Sequence, residues 1–587
     1  MISKVFSKIV RVVWFLPGFL LWASFPPMGE KADVLFALAP LLWLSRRADV
    51  RTSTRRWFLN GLFFWIATLS WMPAIVKNGG PWPLVVLGWF ALAAYCSAYF
   101  AAFGYLAAKY WTWARQTGGS YWLRILGVLA VEPVLWCGLE LVRSRFMGGF
   151  SWNQLGVVAV NGGFGAPAAL GGVYLCSAVV ILVNGTFAGI AERAWKPEAS
   201  GFPLLKKIGT LETVLAFGLV WGVYQLAAGR QQPMAIDGSR GERSVKVAMV
   251  QRNFPCVFKR GDRQNPYEVY EKLLGNVAML KPDVVVMAES AMCEFGPVDQ
   301  QGAVRFEEWA SRQCGGAAVL AGGTRFGDGK EYNSAALYGF ATTTTNCFVS
   351  NRGQSTAVEL YDKVHLVPFG EFIPGDKLIT ALQKLAPVGS CTPGELKTLP
   401  LSGLRRELST TAERSETAEG REAAAKQSLE SCAPETISAG VAICFEDTDS
   451  AQMRALAKKG AQILFFITND SWFSESNETV QHAWQAVARA IETGLPVVRV
   501  GNSGVSGTVM PDGRTSWLVG PDGRPLVDRS GTMLDRVSIA VDGNRRQSTV
   551  YVRWGDIPLA VAFALLILGL ILVKYKEHHE KRRSLSL

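Results

Sequence analysis

The 587-residue sequence predicts a chain in two parts, an α-helical polytopic membrane bundle of about eight spans and a layered α/β domain. Apolar runs near the ~20 residues that a bilayer requires fill the N-terminal part, and one more lies near the C-terminus. Between them, short β-branched runs alternate with polar segments of helical periodicity. Hydrophobic residues make up 49% of the chain and charged residues only 18%, a mixture that fits membrane and globular parts together.

Seven predicted membrane spans precede the α/β domain and one follows it. These spans cover residues 12–25, 33–44, 57–75, 84–108, 125–142, 168–190, 211–228 and 557–573. The chain is accordingly divided into a seven-helix transmembrane region at 1–230, an α/β domain at 243–545, an eighth transmembrane helix at 555–575 and a basic tail at 576–587.

Basic residues crowd alternate loops of the predicted bundle. The second loop carries Arg46, Arg47, Arg51, Arg55 and Arg56, whereas the first and third loops carry only Lys31 and Lys77. By the positive-inside rule, the even loops and both termini are predicted to be cytoplasmic, and the α/β domain is predicted to face outward. The same distribution explains the net charge of +12, so that nucleic-acid binding is not expected.

Two acidic residues, Glu132 and Glu140, lie inside the fifth predicted span. A carboxylate there is costly and is usually paired or functional, and Arg143 and Arg145 are the predicted partners. The Gly- and aromatic-rich segment that follows, 148–156, is predicted to be a re-entrant or interfacial loop on the outer side.

The α/β domain is predicted from its alternation of strands and helices. Predicted strands cover residues 245–250, 284–287, 317–320, 334–338, 437–443, 463–467, 497–500 and 507–510. Predicted helices cover 267–280, 304–314, 450–459 and 479–493. Asp512-Gly513 and Asp522-Gly523 predict hairpin turns between strands.

Two chemically informative residues follow predicted strands, and a third lies between them in the sequence. Cys444 ends the apolar run 437–443, where a strand could present a nucleophile at an elbow, although a buried core cysteine is the common alternative. Glu289 ends the strand at 284–287, and Lys363 precedes a Pro-Phe-Gly turn. Taken singly, Glu289 could neighbour a helix N-cap and Lys363 could be a solvated loop charge. Together, a strand-end Glu, a Lys and a strand-end Cys in this order form a specific pattern.

This pattern resembles the Glu-Lys-Cys triad of the nitrilase superfamily, whose fold is an αββα sandwich. The resemblance extends to Asn333 in Tyr-Asn-Ser-Ala, to Asn-Asp-Ser-Trp-Phe from Asn469, to Gln481-His482 in the helix that contains Arg489, and to Arg499-Val-Gly-Asn-Ser-Gly. With seven spans before this domain and one after it, the whole chain resembles the apolipoprotein N-acyltransferase family, which completes bacterial lipoproteins.

The resemblance implies a ping-pong acyl transfer. In that family the cysteine attacks the sn-1 ester of a membrane phospholipid, and the resulting thioester is attacked by the α-amine of an S-diacylglyceryl-cysteine apolipoprotein. It further implies a multi-pass inner-membrane protein with its catalytic domain on the periplasmic face. We expect a monomer whose partners are the bilayer, the phospholipid donor and the apolipoprotein acceptor. No metal-ligand spacing occurs, and no cofactor or metal is expected.

Site roles are likewise implied by the matching motifs. Glu289 would carry protons, Lys363 would stabilise the thiolate and the oxyanion, and Cys444 would be the nucleophile. The Phe445 backbone N–H would complete the oxyanion hole; this residue replaces a Tyr found in many relatives. Supporting or substrate-binding roles are expected for Glu371, Glu446, Asn333, Asn469, Trp472 and Phe473, although the aromatic residues could equally be ordinary core.

Three alternatives remain open from the sequence. His365 or His482 could form a Cys–His hydrolase pair with Cys444, although no signature of such a family is present. The chain could be a membrane-anchored nitrilase-type amidase acting on a small amide, although an anchor needs only one span. It could also be a catalytically dead lipid-binding or scaffold protein.

A polar stretch at 392–435 looks inserted relative to the family and is predicted to be a flexible excursion or one solvated helix. Cys391 and Cys432 bracket this stretch, and they are predicted to form a disulfide bond because the outer compartment permits one.

Overall fold

The computed structural model describes most of the chain. The described residues are 14–118, 120–195, 205–229, 242–255, 266–275, 277–292, 306, 309–310, 312–314, 317–339, 358–373, 390–401, 436–540 and 548–585. Cys432, most of the predicted insertion at 392–435 and about half of the predicted helix at 304–314 lie outside them.

The helices of the described residues fall into the predicted membrane and α/β regions. They are α1 Leu16–Ala23, α2 Ala39–Ser45, α3 Val50–Thr68, α4 Trp82–Gln116, α5 Tyr121–Leu126, α6 Glu132–Arg143, α7 Leu155–Ala159, α8 Ala168–Trp195, α9 Leu205–Ala228, α10 Pro266–Leu274, α11 Ser450–Lys458, α12 Glu478–Thr493, α13 Val550–Trp554 and α14 Ile557–Leu585. A π-helical turn at Gly127–Val131 joins α5 to α6.

Six helical segments of the described chain are long and apolar enough to cross a membrane. They are Val50–Asn78, Trp82–Gln116, Tyr121–Arg143, Ala168–Ala194, Leu211–Ala228 and Ile557–Lys576. The membrane part is therefore helical and multi-pass, as predicted, while the total of eight spans stays a prediction. The loop predicted at 148–156 ends in α7, and this helix with the π-helical turn at Val160–Phe164 was not predicted.

The predicted second span, 33–44, is wrong as a continuous helix. A short 3-10 helix at Lys31–Leu35 and the separate α2 replace it. The Asn184 side chain in α8 accepts a hydrogen bond from the Leu38 N–H at 2.8 Å and donates one to the Val34 carbonyl at 2.8 Å. Interrupted backbone is tolerated at this depth because a neighbouring helix satisfies its polar groups.

The predicted arginine partners are wrong for Glu132, whereas Arg143 does interact electrostatically with Glu140. Glu132 pairs instead with Arg46, Nη2 to Oε2 at 2.7 Å, and it accepts a hydrogen bond from the Trp111 indole at 3.0 Å. Glu140 accepts the Leu155 backbone N–H at 3.0 Å. Arg143 also donates hydrogen bonds to two carbonyls of the loop after α6, at 2.8 and 2.9 Å. The partners of Glu132 come from other segments because a side chain in the middle of a buried helix contacts adjacent helices and cannot reach the ends of its own.

Two six-stranded sheets form the α/β domain. The strands are β1 Glu242–Gln251, β2 Val284–Met287, β3 Ala318–Gly327, β4 Lys330–Tyr338, β5 Val358–Asp362, β6 Thr398–Leu401, β7 Ile437–Ile443, β8 Ile463–Asn469, β9 Val497–Asn502, β10 Gly507–Val509, β11 Thr515–Trp517 and β12 Gly531–Ala540. The first sheet has the order β12-β1-β2-β3-β4-β5, and the second has the order β11-β10-β9-β8-β7-β6. Strands β1, β2 and β3 run parallel, as do β7, β8 and β9.

The two sheets pack face to face between helices. Val286 of β2 packs in one buried cluster with Val441 of β7, whereas the adjacent Val285 faces the helical side with Tyr270. Both faces of the central strands are covered, which explains why these strands are apolar throughout. The nitrilase-type sandwich is thus confirmed.

Four strands, β5, β6, β11 and β12, were not predicted. Strand β6 lies within the predicted insertion at 392–435, so the prediction of a flexible excursion or a solvated helix is wrong for this part of the stretch. Leu399 and Leu401 are buried and Pro400 between them is exposed, as in an edge strand, where a proline lacking an N–H is tolerated. The two predicted turns are present, with Gly513 at φ 86° and Gly523 at φ 74°.

Helix α12 carries the sandwich on the membrane bundle, and almost all of its residues are buried. The Gln481 side chain accepts hydrogen bonds from the Trp152 indole at 2.9 Å and the Asn153 amide at 3.1 Å. It also donates to the carbonyls of Pro26 and Thr68, at 3.1 and 3.3 Å. One glutamine therefore joins the sandwich to three separate segments of the membrane region.

Candidate active site

The sandwich brings the predicted triad together at the carboxyl ends of its parallel strands. Glu289 follows β2, Lys363 follows β5 and Cys444 follows β7. Strands from both sheets thus contribute, and all three side chains meet at the same edge. This convergence is typical of sites in α/β folds, where strand ends supply the functional groups.

Hydrogen bonds connect the triad to Asn333 and Glu371. The Lys363 Nζ lies 2.9 Å from Glu371 Oε1 and 4.0 Å from Glu289 Oε1. The Asn333 amide donates to Glu289 Oε1 and to Glu371 Oε1, each at 2.7 Å. Lys363 is therefore paired with Glu371, while Asn333 links the two carboxylates.

Burial dominates the proton affinities of the site. It raises the pKa of Glu289, an effect that Lys363 opposes. Burial and Glu289 likewise raise the pKa of Cys444 well above its ordinary value, although Lys363 lowers it as expected. Burial lowers the pKa of Lys363, but Cys444, Glu371 and Glu289 outweigh burial and raise it. Burial and Glu289 thus favour the neutral thiol, against the thiolate that Lys363 alone would favour.

The backbone is strained next to both the nucleophile and the predicted base. Cys444 has φ 53° and Ser290, after Glu289, has φ 61°, in a region that non-glycine residues rarely adopt. Gly322 of β3 lets this strand approach the backbone of Glu289 closely, because a Cβ at Gly322 would lie 2.7 Å from the Glu289 Cα. Such strain persists only where the surrounding contacts enforce it, and it is typical of functional sites.

Glu446 positions the two loops of the site and has no free lone pairs directed at a substrate. Its side chain is completely buried. The carboxylate accepts hydrogen bonds at 2.7–3.0 Å from the Tyr361 hydroxyl and from the backbone N–H groups of Ile443, Val364 and His365. Because these donors flank both Cys444 and Lys363, Glu446 fixes their separation.

Phe445 faces the membrane bundle. Its ring stacks on Phe150 and Trp152 of the outer loop, with centroid distances of 6.2 and 6.4 Å and interplanar angles of 17° and 11°. His365 reaches the same loop, with its Nε2 2.8 Å from the Gly148 carbonyl. The loop predicted to lie near bound lipid therefore contacts the residue next to the nucleophile.

The remaining predicted residues lie on the loop after β8. Asn469 bonds within the sandwich, since its Oδ1 accepts the Asn502 amide at 2.7 Å. Phe473 packs edge-on against Trp71 of the bundle at 4.8 Å. Trp472 remains 41% exposed, and its carbonyl accepts the Asn78 amide at 2.8 Å. Only Trp472 of these three presents a free apolar surface.

A buried charged network lies behind the nucleophile. His482 Nε2 is 3.0 Å from Asp447 Oδ1, and its Nδ1 is 3.0 Å from Asp470 Oδ1. Arg499 contacts Asp447 at 2.5 Å and Asp470 at 3.0 Å. The site residues expected from the sequence did not include either aspartate, although each lies in a short 3-10 turn that directly follows a strand.

Neither histidine is hydrogen-bonded to Cys444 among the described residues, which disfavours the Cys–His scheme. Cys391 is predicted to bond to Cys432, which lies outside the described residues, so this disulfide bond stays a prediction. The Cys391 backbone N–H donates a hydrogen bond to the Glu371 carbonyl at 2.9 Å, which places Cys391 at the edge of the site.

Comparisons with known proteins give matches to both parts of the chain. The family model for the apolipoprotein N-acyltransferase N-terminal domain matches residues 17–186, and the model for carbon-nitrogen hydrolase matches residues 246–549.

Relatives match most of the chain. The apolipoprotein N-acyltransferase of Geobacter metallireducens is 28% identical over 507 residues, covering 84% of each chain. That of Neisseria meningitidis serogroup B is 26% identical, covering 90% of this chain and 92% of the relative. A solved amidase from Nesterenkonia sp. aligns with a TM-score of 0.32 and 16% identity, covering 52% of this chain and 93% of the amidase. The chain belongs to the carbon-nitrogen hydrolase family, and it is an enzyme of the branch whose members are apolipoprotein N-acyltransferases.

Proposed function

We propose that this enzyme transfers an acyl chain from a membrane phospholipid to the N-terminal amine of the S-diacylglyceryl cysteine of apolipoproteins. The observation that carries the proposal is the contact between the nucleophile loop and the membrane bundle. Phe445 stacks on Phe150 and Trp152 of the bundle's outer loop, directly beside Cys444. A soluble-substrate amidase has no need for its cysteine to lie against membrane helices.

The first half-reaction forms a thioester. The Cys444 Sγ attacks the sn-1 ester carbonyl while Glu289 takes the thiol proton, and its burial-raised pKa suits it to hold that proton. The Lys363 ammonium and the Phe445 backbone N–H would stabilise the oxyanion. When the tetrahedral intermediate collapses, the ester C–O bond breaks, and the lysophospholipid oxygen leaves with the proton from Glu289.

The second half-reaction forms an amide. The apolipoprotein α-amine attacks the thioester carbonyl, and Glu289 accepts a proton from the nitrogen. The C–S bond then breaks, and the Cys444 sulfur recovers the proton as the thiol. Glu371, held 2.9 Å from Lys363, keeps the ammonium oriented during both steps. Trp472, with its exposed ring, would contact the acyl chains at the entrance.

The proposed location is the bacterial inner membrane, with the catalytic domain on the periplasmic face and both termini in the cytoplasm. Basic residues in the loops opposite the sandwich support this orientation. In this orientation the site opens at the leaflet that supplies phospholipid and displays the diacylated acceptor, and no cofactor takes part in either step.

A labelling experiment tests the proposal. Purified enzyme in nanodiscs is incubated with phospholipid labelled in its sn-1 chain, and we expect a thioester on Cys444 that is discharged by a diacylated lipopeptide. Cys444→Ala should show no label, and Cys391→Ala, which removes another thiol beside the site, should label normally. An unlabelled wild-type enzyme that hydrolyses small amides would refute acyl transfer in favour of the amidase alternative.

A further inference from the structure

We propose that His482 is a positioning residue that clamps the nucleophile loop to the Asn469–Phe473 loop. The inference rests on the proposed function only in that these loops carry its nucleophile and its entrance aromatic residues. Asp447 belongs to the turn that starts at Cys444, and Asp470 belongs to the turn that contains Trp472. A single imidazole bridges them, with both nitrogens 3.0 Å from a carboxylate oxygen.

The two carboxylates are shared between His482 and Arg499. On each aspartate one oxygen faces the imidazole and the other faces the guanidinium. All four groups are at most 2% exposed. This arrangement determines the hydrogen-bond roles, because only an imidazolium can donate to two carboxylates at once.

The charges of this cluster balance when His482 is protonated. Burial lowers its pKa, but Asp447 and Asp470 outweigh burial and raise it to about 10. Burial and Asp470 raise the pKa of Glu478, 3.5 Å away, to about 8, so that this carboxyl is largely neutral. Two aspartates then face one imidazolium and Arg499. Breaking such a buried balanced set leaves an uncompensated charge, which is strongly unfavourable.

The clamp also connects the site to the membrane bundle. His482 follows Gln481, whose side chain bonds to Trp152 and Asn153 of the outer loop. The Trp152 ring lies 5.4 Å from the imidazole and 6.4 Å from the Phe445 ring. Docking of α12 on the bundle therefore positions Phe445 and Asp447, which follow the nucleophile in its turn.

A metal ion is the competing reading of this cluster. Asp470, Glu478 and His482 each offer a ligand atom, and these atoms lie within 4.8 Å of one another. However, both imidazole nitrogens already face carboxylates, and the Arg499 guanidinium occupies the same Asp470 side chain. A cation there would sit beside a fixed positive charge, which disfavours binding.

The test uses full-length enzyme in nanodiscs and measures iodoacetamide alkylation of Cys444 by site-resolved mass spectrometry. His482→Gln removes the imidazolium charge and therefore leaves a net negative cluster. In addition, the glutamine amide can donate to one aspartate but presents its oxygen to the other. We expect Cys444 alkylation and phospholipid labelling to fall about 10- to 100-fold per folded molecule, as expected for a displaced nucleophile. The double variant Asp470→Asn/His482→Gln restores both charge balance and complementary hydrogen bonds, and it should recover most of the rate.

Glu132→Gln, which perturbs a buried ion pair within the membrane bundle, is the matched control and should leave the alkylation rate per folded molecule unchanged. A lower melting temperature in His482→Gln with wild-type alkylation would overturn the proposal, as would failure of the double variant to recover any rate. Protection of wild-type Cys444 by Zn²⁺ alone, absent in His482→Gln, would assign a metal site instead. If wild type is not labelled by phospholipid but the alkylation pattern holds, the acyl-transfer function fails and the clamp stands.

Discussion

Two buried groups of charges in this enzyme differ in how completely they are paired. In the membrane bundle, Arg46 lies 2.7 Å from Glu132, and Arg124 lies 2.9 Å from both Glu192 and Glu212. In the active site, Lys363 lies 2.9 Å from Glu371 but 4.0 Å from Glu289. The bundle pairs hold helices together, whereas in the active site the Glu289 carboxylate lies 4.0 Å from its cation, beyond hydrogen-bond distance. That carboxylate can exchange a proton, which the proposed reaction requires.

The largest effect is expected from breaking the bundle network. Glu132→Leu leaves Arg46 buried without its partner, and removing one member of a buried pair typically costs about 3–5 kcal/mol. We expect a large loss of folded protein in thermal unfolding measurements. Phospholipid labelling per folded molecule should stay at the wild-type level, and a selective loss of labelling would contradict a purely structural network.

Removing the cation of the site should affect chemistry more than stability. Lys363→Met deletes the charge beside the thiolate and the oxyanion, and losing one such donor costs about 10²–10³-fold in rate. The rate of Cys444 thioester formation is the measurement. Lys77→Met is a matched control, because Lys77 pairs with Glu475 on the exposed surface and should leave the rate unchanged. Equal rates in both variants would exclude Lys363 from the reaction.

Glu446→Gln should have an intermediate effect, because every group that contacts this carboxylate donates a hydrogen bond to it. The amide NH₂ would face at least one N–H group, and hydrogen bonds to a charged group are worth about 1.5–3 kcal/mol. Both the melting temperature and the thioester rate should fall. An unchanged rate at full stability would show that the separation of Cys444 and Lys363 does not depend on this side chain.

The smallest effect is the displacement of a pH profile. Burial raises the pKa of Glu289 above its usual 4.5, and the base form is present only above that pKa. The acidic limb of thioester formation should therefore have its midpoint above pH 4.5, with the rate falling as pH drops through it. Asn333→Ala removes a hydrogen bond that lowers this pKa, so the limb should move to still higher pH. A limb at or below pH 4.5 would argue against Glu289 as the base.

Much of the architecture could be read from the sequence because apolar periodicity reports burial directly. Strands β2 and β7 match their predicted bounds, since an apolar run covered on both faces has sharp polar ends. Short strands such as β5 and β6 were not predicted because their hydrophobic pattern is too brief to distinguish from that of a loop. Asn184 explains why the predicted second span is not a continuous helix. Its side chain, from a helix distant in sequence, forms the hydrogen bonds that the interrupted backbone at Val34 and Leu38 would otherwise lack.

The sequence by itself determined the two-part organisation and the candidate triad, because span length, strand periodicity and the order of Glu289, Lys363 and Cys444 are local or ordered along the chain. Only the tertiary structure decided which charges are paired and what Glu446 and His482 contact. Glu446 meets donors about 80 residues away, Val364 at 2.7 Å among them, and His482 bridges two separate turns. Hydrogen bonds and ion pairs depend on distances of a few ångströms between residues remote in sequence, and these distances exist only once the sheets and the bundle have packed.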